Sequence, residues 1–62
     1  MKEKAYSVYF KLQQEVRANE AKRSEARKIF DADIASECSV KIIALQFAMH
    51  LLVEEFDLTF NN

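Results

Sequence analysis

The chain has 62 residues and a net charge of −1, and it holds neither glycine nor proline. At average usage those two would together fill roughly seven positions, so the ordinary turn and breaker residues are missing. That excludes β-sandwiches, barrels, tight strand hairpins and glycine-rich phosphate loops. It leaves an all-α protein, with Ala, Leu, Glu, Lys, Gln, Arg and Met, the strong helix formers, filling 34 positions.

The size implies one domain, residues 1–62. Area scaling gives about 6,000 Å² buried on folding, worth about 90 kcal/mol if about 60% of it is apolar. Ordering the chain costs about 90 kcal/mol as well, so a lone copy is marginal. The single cysteine, Cys38, rules out an internal disulfide, and no Cys/His cluster offers a structural zinc. Association with itself or with another protein is the remaining source of stability.

The first predicted element is a helix over residues 3–30. Ala5, Tyr9, Leu12 and Val16 begin a heptad seam that resumes at Ala26 and Phe30. Asn19 and Arg23 occupy the seam positions between them, where polar residues set register in helical bundles. This half is basic, with eight Lys/Arg against four Glu, or +4. Arg17, Lys22, Arg23, Arg27 and Lys28 are the residues through which a partner or a nucleic acid would be contacted. At about 100° per residue they do not form one stripe. Glu20–Arg23 and Glu25–Lys28 have the spacing of ion pairs within the helix.

A turn is expected at 31–33, because aspartate is a good N-cap and basic residues suit the end of a preceding helix. Asp31, Asp33 and Ser36 are the candidate caps, after Arg27-Lys28. The competing arrangement is one unbroken helix of about 80 Å.

The second predicted helix covers 34–56, followed by a short tail, 57–62. Cys38, Ile42, Leu45, Met49, Leu52 and Phe56 are spaced 4, 3, 4, 3, 4, which is an a/d heptad seam. They are the expected oligomer core. A second row, Val40, Ile43, Phe47 and Leu51 with Ala44 and Ala48, is also apolar. One companion helix cannot cover a helix so apolar around its circumference. This half is acidic, with one Lys against six Asp/Glu, or −5. At the open end, Tyr6, Tyr9 and Phe10 should meet Phe56, Leu58 and Phe60.

Chemistry-bearing constellations are weak. Asp31, Asp33 and Glu37 lack the glycine and the twelfth-position glutamate of a calcium loop. His50 and Glu54 make at most half a metal site. Cys38 has no partner base for nucleophilic work. The expectation is therefore a non-enzyme without catalytic residues, cofactor or metal.

The segment Val40–Val53 is interrupted by Lys41, Gln46 and His50, too short and polar for a membrane span, and the N-terminus lacks a signal-type apolar core. A soluble, cytoplasmic protein is expected, which one unpaired cysteine suits.

The length and the tripeptide Asp31-Ala32-Asp33 between two helices resemble the Rop family of plasmid RNA-binding regulators. The resemblance implies a hairpin that dimerises into a four-helix bundle. Aligned at the tripeptide, that family's RNA-facing positions fall on Lys4, Lys11, Glu15, Asn19 and Ala26. Lys4, Lys11 and Asn19 suit contact with phosphate or base. Glu15 stands where the family has an aromatic residue, and Ala26 where it has a basic one.

The expected architecture is thus a two-helix antiparallel hairpin, homodimerising into a four-helix bundle. The expected role is that of a small regulatory or adaptor protein binding another protein. The alternative is a nucleic-acid-binding regulator using the basic residues of the first helix.

Overall fold

The computed structural model describes residues 2–60, which form two helices, α1 (Lys2–Lys28) and α2 (Ala32–Phe56). They lie antiparallel against one another in a rod of 43 × 18 × 18 Å. The hairpin replaces the single long helix. The turn is Ile29-Phe30-Asp31, two residues earlier than expected.

The shift has a local cause. Phe30 takes φ 59°, the left-handed region. Its N–H donates to the carbonyl of Arg27 at 3.2 Å, and the Asp31 N–H donates to that of Ala26 at 2.8 Å. This pair of bonds is a Schellman motif, which satisfies carbonyls that the end of a helix leaves open. Glycine normally fills the left-handed position; here a phenylalanine does. Asp31 then caps α2: Oδ1 accepts from the Ile34 N–H at 3.1 Å. Asp33 and Ser36, the other cap candidates, lie inside the helix.

The second helix ends the same way. Asp57 takes φ 55°, and the Leu58 N–H donates to the Val53 carbonyl at 3.1 Å. Leu58 is buried and occupies the position whose apolar contact accompanies this motif.

The core is thin. Ala5, Val16 and Ala26 of α1, Cys38 and Ile42 of α2, and Leu58 are its buried members. The α1 seam uses small residues at both ends, which lets the helix axes come close. Asn19 is accommodated on the seam by donating to the Glu15 carbonyl at 2.8 Å, one turn back in its own helix. Arg23 donates to Ser39 Oγ at 3.2 Å across the helix pair.

By length and composition α2 can cross a membrane. It has 25 residues, and an 18-residue window reaches a mean hydropathy of 1.3 with 11% of it buried in the hairpin. This corrects the expectation from Val40–Val53, because the apolar helix is longer than that segment. The helix carries apolar character further toward its N-terminus, through Ile34, Ala35 and Cys38.

A two-faced helix as the candidate functional site

The seam assigned to an oligomer core lies mostly within one hairpin. Cys38 and Ile42 are buried, and Leu45, Met49 and Leu52 are half-buried along the same side. Among the described residues α1 is the element packed on α2, and it covers them. Phe56, the last seam residue, is exposed and borders a groove with Lys4, Ala5, Val8 and Leu52.

The second apolar row is open. Val40 and Ile43 are each 67% exposed, Phe47 62% and Leu51 47%. At about 100° per residue, Val40, Ala44, Phe47 and Leu51 fall on the side of α2 opposite the seam. Polar strips separate the two apolar faces. One carries Ser39, Gln46 and His50, and the other Glu37 and Lys41. The strips are tied within the helix: Lys41 Nζ lies 3.5 Å from Glu37 Oε1, and His50 Nε2 lies 2.7 Å from Glu54 Oε1. In α1 the side away from the seam is Ser7, Lys11, Gln14, Ala18 and Glu25, all exposed and mostly polar. The hairpin thus has a wettable back and an apolar front.

Its surface is correspondingly large. A compact chain of 7.2 kDa exposes about 4,100 Å² by area scaling, and this one exposes 4995 Å², about 900 Å² more.

The five basic residues expected to contact a partner, Arg17, Lys22, Arg23, Arg27 and Lys28, are dispersed along α1. Arg23 is engaged with Ser39, and Lys28 with Glu25 at 3.3 Å. Glu20 does not take Arg23, which turns inward instead. Lys22 borders a groove with Asn19, Lys41 and Leu45 on one flank, and Arg27 borders another with Phe30 and Ala35 at the turn. Arg17 is exposed on the far flank, on the same side as Lys28. Of the positions aligned with the Rop family, Lys4, Lys11 and Glu15 are exposed, Asn19 is half-buried and Ala26 is buried against α2. Ala26 therefore faces the hairpin core, where it reaches no RNA.

The open end closes on its tail. The Tyr6 hydroxyl donates to the Thr59 carbonyl at 2.9 Å and accepts from the Thr59 N–H at 3.0 Å. That N–H, aided by nearby Lys2, holds the phenol below its ordinary pKa. Phe60 packs on Tyr9 with ring centroids 4.6 Å apart, and edge-on to Tyr6 at 5.6 Å and to Phe10 at 6.2 Å. Lys2 Nζ donates to the Asp57 carbonyl at 3.3 Å. The expected aromatic cluster forms around Phe60, with Leu58 buried beneath; Phe56 turns to the other flank.

Among the described residues no three of His, Cys, Asp and Glu come together to hold a metal ion. Comparison with known protein families, curated proteins and solved structures finds no match for this chain.

Proposed function

We propose that this chain is a small, non-enzymatic regulatory or adaptor protein that acts by protein–protein association through the outer face of α2. The observation behind it is the open row Val40, Ile43, Phe47 and Leu51. Scattered exposed apolar side chains are ordinary on a protein surface, but a contiguous row rimmed by polar residues marks an interaction site. The row also accounts for a composition too apolar for a two-helix protein standing alone. A reducing, cytoplasmic setting suits its single free thiol.

A lipid is a poorer occupant of that face than a protein. α1 lies along α2, so insertion of α2 would draw the charges of α1 into the bilayer or break the hairpin. Lys41, near the middle of α2, would itself cost about 3 kcal/mol at the centre of a membrane. The second reading, nucleic-acid binding by α1, has less behind it, since Arg17, Lys22, Arg23, Arg27 and Lys28 point to different sides.

The test is a photo-crosslinking residue at Ile43, introduced into the protein in cells. Crosslinks to protein are expected. Crosslinks confined to lipid or nucleic acid refute the reading.

A further inference from the structure

We infer that the outer face of α2 is covered by a second copy of this chain, with the two α2 helices packed antiparallel about a two-fold axis near Phe47. This rests on the reading of that face as a protein-binding surface and names its occupant. Three observations carry it.

The first is area. The hairpin exposes about 900 Å² more than a compact chain of its mass, and a standard stable interface covers about 800 Å² per partner. One copy of equal size removes that excess from both chains at once.

The second is shape. The outer face sets bulky Phe47 beside the small residue Ala44. A two-fold axis at Phe47 stacks the two Phe47 rings on each other, and the small Ala44 on the flank of each copy leaves room for them. A face that packs on its own image about one point is what an isologous dimer requires.

The third is charge. Lys41, the one lysine of α2, lies on the same flank as Glu55 and as Glu37, with which it is paired. In an antiparallel pair, residues of the same flank meet, so Lys41 of each copy comes within reach of Glu55 of the second, twice by symmetry. A parallel pair instead sets Glu54 beside its own image and leaves Lys41 and Glu55 on opposite flanks. The antiparallel arrangement also opposes the two helix dipoles.

The layers then run α1, α2, α2, α1, with the polar back of each α1 in water. This is still four helices, but the dimer contact uses Val40, Ile43, Phe47 and Leu51, and the seam of Cys38, Ile42, Leu45, Met49 and Leu52 stays inside each hairpin.

Sedimentation equilibrium of the full chain at tens of micromolar tests the inference. The expected mass is that of two copies, and Phe47→Glu should reduce it to one. Should Phe47→Glu unfold, a Cys38→Ser, Phe47→Cys variant under a mild oxidant reads the same contact. It should form a covalent dimer at the axis, while Cys38→Ser, Ser7→Cys, on the back of α1, should not. Combining Lys41→Glu with Glu55→Lys should restore association that Lys41→Glu alone weakens. A monomer that stays folded overturns the inference, as does a dimer in which the Ser7→Cys variant crosslinks faster than the Phe47→Cys variant. A monomer whose Ile43 position still captures another protein leaves the adaptor reading standing without self-association. A monomer that floats with lipid vesicles removes both.

Discussion

Replacing Phe30 by glycine should make this protein more stable, although it deletes an aromatic ring. Phe30 holds φ 59° at the end of α1, where an L-residue with a side chain pays about 1–2 kcal/mol for the left-handed conformation. Glycine has no such cost, but it loses more freedom on folding, by about 0.5–1 kcal/mol. The ring contributes little to set against this, because it is 93% exposed. The net gain is about 0.5–1 kcal/mol, which raises the melting temperature by about 2–8 °C in a domain of this size. Phe30→Ala is the control: it removes the same ring and keeps the strained backbone, so it should stay within about 0.5 kcal/mol of the parent. Urea melts followed by circular dichroism at one protein concentration measure both, the fixed concentration removing any effect of association. If Phe30→Gly is no more stable than Phe30→Ala, the backbone argument is wrong; if both fall well below the parent, the turn is held by contacts of the ring itself.

Three further outcomes follow from the same geometry. Asp31→Ala removes the carboxylate that accepts from Ile34 and should cost about 1 kcal/mol in a urea melt, whereas Asp33→Ala, beyond the cap, should cost less than half of that; equal losses would show that Asp31 is not the cap. Phe60→Ala strips three ring contacts from the tail and should cost about 1–2 kcal/mol; an unchanged melt would mean that the tail does not hold the open end. Raising salt from 0.05 to 0.5 M should change self-association little, because the apolar row carries the contact and screening weakens the Lys41–Glu55 attraction while it relieves repulsion between the acidic halves. Binding to nucleic acid through α1 would weaken steeply over the same range, so the size of the salt effect separates the two functional readings.

The helices and the seam were legible because heptad spacing survives in the residues themselves. Cys38 and Ile42 are buried where the spacing puts them. The excess apolar row of α2 was equally plain, since no single neighbour covers Val40 and Cys38 together. The end of α1 was hidden, whereas α2 ends at Phe56 as expected. The signal for a helix end is ordinarily a glycine, and this chain makes both left-handed caps with Phe30 and Asp57. Periodicity identifies which residues share a face, and within one hairpin α1 lies along the seam of α2. The fate of Arg23 was out of reach. Its i,i+3 partner Glu20 is visible along the chain, whereas Ser39 becomes a neighbour only once the hairpin closes.

The burial of Cys38 has a kinetic consequence. Its thiol is 2% exposed and faces α1, on the opposite side of α2 from Phe47. A thiol reagent reaches it only when α1 lifts away, and parting two copies along their α2 faces leaves it shielded. When reclosing outpaces the reagent, the labelling rate is the intrinsic thiol rate multiplied by the fraction of hairpins open. The one cysteine of the chain therefore times the opening of a single hairpin, and does so separately from any event at the opposite face.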